Sequence, residues 1–240
     1  MKAGRAEAGK LYLLPNLLGA VEPASVLPAR TLAVARRLRH FVVETPKAAR
    51  AFVKSLPSEH ALQDIAIAEL NEHTPARDVA ALLAPVLAGE DVALLSDAGC
   101  PGVADPGAPL VAAAHRAGVT VVPLVGPSAL LLALMASGMN GQNFVFHGYL
   151  PVRAEARAAA LRALDAAAAG SGATQLFIET PYRNEAMLKE ILATCRATTR
   201  LAIAADLTSP GESVVMDTVA GWKKRSATIG KRPAIFLLLA

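Results

Sequence analysis

Short apolar runs of strand length alternate along the first half of the chain with segments whose apolar residues recur at helical spacing. Leu11–Leu14, Phe41–Glu44, Ile65–Leu70, Asp91–Leu95 and Val119–Val122 read as five strands. Pro28–His40 has helical spacing, with Leu32, Val34, Ala35 and Leu38 as its inner face. Thr45-Pro46 and Thr74-Pro75 each read as an N-cap followed by proline at the first helical position, opening helices to Leu56 and Ala88. A further helix begins near Pro109 and ends at Gly118, a suitable C′ glycine. This alternation predicts a largely parallel sheet with crossover helices.

Pro123–Ser128 is punctuated by two prolines and a glycine and reads as the hinge between two halves. Beyond it, Ala129–Ser137 and Ala154–Ala169 read as helices, and Thr180-Pro181 as a third Thr-Pro helix start. Asn143–His147, Thr174–Ile178, Leu201–Ala205, Ser213–Met216 and Ala234–Leu239 read as strands. Here hairpin-like neighbours mix with helices, which predicts a second α/β domain. No internal repeat goes beyond that two-part layout.

Aromatic residues make up only 4% of a chain that is 53% hydrophobic, so the core is aliphatic and alanine-rich, as suits α/β layers. No apolar run approaches the roughly 20 residues of a membrane span. Met1–Lys10 is polar, with no apolar signal core before Leu11. Cys100 and Cys195 are far apart and form no metal-ligand pair, so free thiols in a reducing cytoplasm are expected. Residues 1–120 carry 12 basic and 12 acidic side chains, and residues 121–240 carry 12 and 8, so the whole excess of +4 lies in the second half. Lys223, Lys224, Arg225, Lys231 and Arg232 supply much of it, as either a phosphate-contacting patch or a solvated surface.

The strand Asp91–Leu95 runs into Ser96–Gly107, a loop with three glycines, two prolines and two aspartates. Such residues build ordinary turns. They also let backbone amides approach a ligand, and this connection is longer than a turn requires. Glu44 and Lys47 follow a neighbouring strand and read either as groups for proton transfer or as a surface pair near a helix start. His147 and His73 are weighed as proton carriers against ordinary structural roles. Cys100 has no nearby histidine motif and reads as a small packed residue.

Taken in order, Pro15–Gly19, Ser96–Gly107 and Pro123–Ser128 resemble the tetrapyrrole (corrin/porphyrin) methylase superfamily of S-adenosylmethionine-dependent methyltransferases. Within it, the chain is similar to the branch that 2′-O-methylates a ribose of small-subunit ribosomal RNA. The resemblance extends from about Leu11 to the last strand. Its most specific part is Leu95–Gly107, where Cys100 replaces a usual threonine. Val122–Ala129, with Val125 for a common proline, Phe144–Pro151 and Phe177–Arg183 match further signatures. Pro15-Asn16-Leu17-Leu18-Gly19 is only loosely similar to Pro-Thr-Pro-Ile-Gly-Asn. Val43-Glu44-Thr45-Pro46-Lys47 stands where Ala-Glu-Asp-Thr-Arg is usual, and Ser209-Pro210 replaces a usual lysine. The sequence stops at Ala240, so a helical extension carried by relatives is expected to be missing.

The resemblance implies a two-domain α/β fold, with a mainly parallel N-terminal sheet in residues 1–124 and a mixed C-terminal sheet in residues 125–240, both with flanking helices. It implies a cytoplasmic homodimer that binds S-adenosylmethionine between domains, without a metal or a membrane. It places Pro15, Asp97, Ala98, Gly99 and Asp105 near the cofactor, with Ser128 and Ala129 opposite and Pro181 and Tyr182 beside the adenine. Glu44 and Lys47 are the catalytic candidates. The implied partner is ribosomal RNA or the small ribosomal subunit. The alternatives are methylation of a tetrapyrrole or other small metabolite, and cofactor binding without catalysis.

Overall fold

The computed structural model describes residues 8–226 and 228–240. The polar stretch before Ala8 on which the N-terminal expectation rests lies outside them, as does Ala227. The chain forms two compact units, residues 1–128 and 129–240. The division falls after Ser128 rather than after Leu124.

The first unit runs β1 (Lys10–Leu14), α1 (Pro23–Val26), α2 (Ala29–Arg37), β2 (His40–Val43), α3 (Pro46–Ser55), β3 (Ala66–Glu69), α4 (Ala76–Val79), α5 (Ala84–Leu87), β4 (Val92–Leu95), α6 (Ala108–Arg116) and β5 (Thr120–Pro123). Its sheet has the order β3-β2-β4-β1-β5, and every pairing is parallel. Alternating strand residues feed two cores. Tyr12, Leu14, Phe41, Val43, Ala93 and Leu95 pack with Leu32 and Ala35 of α2 and Phe52 and Val53 of α3. Leu11, Val42, Val92 and Leu94 pack instead with Val79, Val86, Leu110 and Ala114 from α4, α5 and α6. Both faces are therefore covered, as a parallel sheet requires. Because crossovers are right-handed, the helices change face where the winding reverses.

The second unit runs α7 (Ala129–Ser137), β6 (Phe144–Tyr149), α8 (Ala154–Ser171), β7 (Thr174–Glu179), α9 (Asn184–Thr194), β8 (Arg200–Ala205), β9 (Ser213–Thr218), α10 (Val219–Trp222) and β10 (Ala234–Leu239). Its sheet order is β6-β7-β10-β8-β9, with only the β6–β7 pair parallel. Phe177 of β7 and Phe236 of β10 stack with ring centroids 5.5 Å apart, covered by Leu161, Leu164 and Ile191 of α8 and α9. The expected pair of α/β domains, one parallel and one mixed, is the observed architecture.

Several local expectations need correction. None of the threonines in the Thr-Pro starts caps a helix with its side chain. Thr45 Oγ1 donates to Asp97, Thr180 Oγ1 donates to Glu179, and Thr74 Oγ1 accepts from the Asn71 amide. For Thr45 and Thr180 the charge-assisted bond to a carboxylate holds the hydroxyl in a rotamer that makes no bond to the first-turn amides. The helix expected from Pro75 to Ala88 is broken into α4, a 3-10 turn over Ala80–Leu83, and α5. Pro85 is the reason, since it has no N–H and crowds the carbonyl of Ala81. The helix expected to reach His40 stops at Arg37, and His40 already belongs to β2. Pro23–Val26 adds a short helix that the apolar pattern does not predict.

Asp165 of α8 is a buried carboxylate with a full set of partners. It accepts from the Arg196 amide at 3.3 Å, from Arg196 Nε at 2.7 Å and from the Thr199 hydroxyl. Burial alone raises its pKa, but the bonds from Arg196 and Thr199 outweigh burial and hold the group below the usual carboxylate value. A depressed folded pKa gives stability that is present above the unfolded value and lost as pH falls through the folded one. Asp165→Asn should therefore be less stable than wild type to urea at pH 7. The gap should narrow below about pH 4, where the unfolded carboxyl takes up its proton.

Candidate active site

In the first unit every strand points the same way, so the segments after β1, β2, β4 and β5 leave from one edge of the sheet. After β1 the chain crosses toward β2, and after β4 it crosses the other way, toward β5. Since β1 and β4 are neighbours, the crevice between their carboxyl ends is the switch point where α/β sheets place their ligands.

Asn16 occupies that crevice. It directly follows β1 and Pro15 and is only 6% exposed. Its Nδ2 donates to the carbonyls of Ser96 at 2.9 Å and Asp97 at 3.1 Å, and its amide donates to Gly99 O at 2.9 Å. Its Oδ1 accepts from the Leu17 amide at 2.8 Å. The loop after β4 is thus laced to the loop after β1. The Ser96 hydroxyl donates to Gly99 O at 3.0 Å and tightens the turn from within.

Both aspartates of the loop are engaged in holding it. Asp97 accepts from the Thr45 amide at 3.1 Å and the Thr45 hydroxyl at 2.6 Å, tying the loop to the end of β2. Asp105 Oδ1 accepts from the amides of Gly102 and Gly107, each at 2.8 Å. Two glycines of the loop hold positive φ, Gly99 at +70° and Gly102 at +83°, and a Cβ at Gly107 would lie 2.8 Å from Leu94 Cδ2. Ala104 holds φ +60° without being glycine, a strained conformation that the surrounding bonds maintain. Asp97 and Ala98 remain exposed at the rim.

The segment read as a hinge is fastened to the first unit through Pro127. Leu124 N donates to Leu13 O at 3.0 Å, and Thr31 Oγ1 donates to Val125 O at 2.7 Å. A Cβ on Gly126 would meet Pro15 Cβ at 2.4 Å, so the segment lies directly on the β1 loop. Cys100 Sγ donates to Pro127 O at 3.5 Å, and burial pushes its thiol up, which leaves it a packing residue.

Glu44 stands at the same edge. Burial pushes its carboxyl up, the charge of Asp97 pushes it further, a bond from the Asp97 amide opposes both, and Asp105 and Glu72 add smaller repulsions. Lys47 is exposed in the first turn of α3, and among the described residues it forms no ion pair with Glu44. The first unit thus brings together Pro15, Glu44, Asp97, Ala98, Gly99 and Asp105. Ser128 is its last residue. Ala129 opens α7 in the second unit. Pro181 and Tyr182 form the 3-10 turn after β7, with Tyr182 71% exposed beside the buried Glu179–Arg183 ion pair. His147 is bonded to Gln175 at 2.7 Å, and His73 lies on the surface 3.6 Å from Glu72. Among the described residues no group of three or more His, Cys, Asp or Glu side chains is placed to hold a metal ion. No helix among them is long and apolar enough to cross a membrane. A groove of about 210 Å³ lined by His40, Phe41, Ala66, Leu82 and Pro85 starts at the opposite, amino ends of β2 and β3 and includes none of these groups.

Asn16 and Thr45 are the functional-site residues that pattern reading misses. The available signal for Asn16 is a polar amide placed directly after the Leu13-Leu14-Pro15 end of a central strand.

The profile of the tetrapyrrole (corrin/porphyrin) methylases matches residues 16–221. A ribosomal RNA small subunit methyltransferase I from Micromonospora olivasterospora is 38% identical over 192 residues, 80% of this chain and 58% of that protein. The protein of the same name from Escherichia coli O157:H7 is 31% identical over 211 residues, 86% of this chain and 68% of that protein. The chain spans about half of the length of several such relatives, 49% to 58%. Among solved structures, the methyltransferase CobJ superposes with a TM-score of 0.63 at 18% identity, covering 96% of this chain and 94% of its own. A uroporphyrin-III C-methyltransferase from Thermus thermophilus, solved with S-adenosylhomocysteine, gives 0.57 at 18% identity, covering 96% and 97%. These likenesses agree with the parallel and mixed sheets described above, and the profile match takes in the switch-point loops of the first and most of the elements of the second. The chain belongs to the tetrapyrrole (corrin/porphyrin) methylase family.

Proposed function

We propose that the protein is an S-adenosylmethionine-dependent methyltransferase acting on a ribose hydroxyl of small-subunit ribosomal RNA in the cytoplasm. The observation that carries the reading is the pinned, glycine-opened loop at the β1–β4 switch point, surrounded by carboxylates. The names of the relatives support small-subunit ribosomal RNA as the acceptor, and the ribose hydroxyl is what the branch resemblance implies. The tetrapyrrole-acting proteins share the fold at low identity and support that alternative less.

The residues fit the cofactor by charge. The negative field of Asp97, Asp105 and Glu72 that raises Glu44 favours a cation at the same rim, and the cofactor carries a sulfonium and an ammonium group. Gly99, the exposed residues Asp97 and Ala98, and Pro15 would hold it from the first unit, with Asp105 keeping the loop in shape. Ser128, Ala129, Pro181 and Tyr182 complete the set. When bound, S-adenosylmethionine supplies an electrophilic methyl carbon, and alignment provides much of the rate.

Glu44 accepts the proton of the acceptor hydroxyl at its carboxylate. Its raised pKa makes it a stronger base than an ordinary glutamate, and it moves the acid limb of activity upward, with rate rising as Glu44 ionises. Lys47, in the first turn of α3, meets phosphate next to the reacting ribose.

Calorimetry should detect S-adenosylhomocysteine binding to wild type, and no binding at millimolar ligand overturns the cofactor assignment. Glu44→Gln should retain that binding while losing about 10²–10⁴-fold in kcat, with the acid limb gone. An unchanged rate removes Glu44 as the base. Asn16→Ala leaves buried carbonyls unpaired and should lower stability to urea by about 2 kcal/mol. It should also weaken S-adenosylhomocysteine binding, because the loop loses its tie to β1. The reading includes a homodimer, and a sedimentation coefficient of a single chain at micromolar concentration counts against it.

A further inference from the structure

The even charge count of the first half conceals a strong separation. Residues 28–58 hold seven cations and one carboxylate, Glu44, whereas the rest of residues 1–120 holds five cations and eleven carboxylates. The cation-rich segment folds into α2, β2 and α3, so its two helices lie on one face of the sheet. On α3 the buried residues are Ala49, Phe52 and Val53. At 100° per residue, Lys47, Arg50 and Lys54 fall within about 60° of one another on the opposite side, along about 10 Å of helix. All three are exposed, as is Arg30 on α2, and none of the four belongs to an ion pair among the described residues.

The C-terminal cations that dominate the sequence count behave differently. Arg225 is paired with Asp217 at 2.8 Å and Arg232 with Asp206 at 2.5 Å, so two of that set are already neutralised by carboxylates. The arrangement on α3 is also unfavourable for the helix itself. Lys47–Arg50 and Arg50–Lys54 are like-charge neighbours at i,i+3 and i,i+4. Lys47 sits in the first turn, where the helix dipole favours acids, and no acid is present in that turn. A face kept only for solubility mixes both signs.

We propose that this outer face of α3 is the surface that follows the phosphate backbone of the RNA; the inference rests on the RNA reading above. The stripe begins three residues after Glu44, at the carboxyl edge of the sheet, and runs back along the unit. A ribose held at Glu44 would have the phosphates of its own strand within reach of Lys47 and then Arg50 and Lys54. The stripe carries no exposed large apolar side chain among its cations, which suits a polyanion in water better than a membrane surface.

The test measures binding of wild type and R50A/K54A to in-vitro transcribed small-subunit ribosomal RNA from low to moderate salt. Alanine preserves the helix, and unchanged S-adenosylhomocysteine binding shows that the fold is intact. The slope of log K against log salt should shrink by roughly 1.5, at about 0.7–0.9 for each phosphate that the variant leaves unneutralised. Affinity at low salt should fall tenfold or more. R50K/K54R should keep the wild-type slope, and K223A/K224A/K231A should change it little. An unchanged slope in R50A/K54A, or a loss confined to the C-terminal triple variant, overturns the assignment of this face. Equal wild-type affinity for phosphatidylserine vesicles or polyglutamate overturns RNA as its occupant. If wild type binds S-adenosylhomocysteine but no RNA, the acceptor reading fails and takes this one with it. RNA binding with an unaltered variant slope removes only the face.

Discussion

Two neighbouring strands, β1 and β4, send their chains away in opposite directions, and a buried amide fills the gap this opens. Asn16 spends both side-chain N–H groups on the loop after β4, and its own backbone N–H bonds Gly99. Without it, the carbonyls of Ser96, Asp97 and Gly99 would face a buried crevice with fewer donors, and such groups are costly to leave unpaired. The position of the loop relative to β1 therefore depends on one residue. The internal shape of the loop depends on others: Asp105 gathers the Gly102 and Gly107 amides, and the missing Cβ at Gly107 lets the chain lie on Leu94.

The same logic extends outward. Asp97 reaches from that loop to Thr45 at the end of β2, so the β4 and β2 ends move as one. Gly126 lies on Pro15, and Val125 is held by Thr31, so the β5 end joins them. Four strand ends are thus connected by short polar bonds and a close glycine contact above an aliphatic sheet. The sheet itself contributes no polar side chains to the crevice. Its work is to hold the strand ends at fixed spacing, so that a few bonds suffice to order long loops.

Most of the fold is legible in the sequence because its signals are local. Alternating strands of Leu and Val, glycines at Gly118 and Gly138 with positive φ, and prolines at helix starts need no tertiary knowledge. The failures have a common cause, which is competition from distant partners. Thr45 has the pattern of a cap, but Asp97, far along the chain, draws its hydroxyl into a charge-assisted bond and away from the helix amides. The C-terminal cations have the pattern of a free patch, but Asp206 and Asp217 fold against two of them. Asn16 has the pattern of an ordinary loop residue because its three partners belong to the segment after β4. The break at Pro85 is local and visible, but the apolar periodicity runs through it.

Separation of charge within the first unit gives the site two distinct electrostatic neighbourhoods. At the strand ends, burial and then the charges of neighbouring carboxylates push up Glu44. Along α3, cations lie close enough together to work against the helix. Either arrangement alone lowers stability, and each would be relieved by mixing the two sets. Mixing would also abolish the function that we propose, which must hold a cation and a polyanion at once. A sulfonium placed among lysines, or a phosphate placed among Asp97, Asp105 and Glu72, would be repelled by its own site. The boundary between the two fields runs through residues 44–47, where β2 ends and α3 starts. A base that takes a proton from a hydroxyl on the polyanion, beside the bound cation, belongs at that boundary, and Glu44 is the residue that occupies it.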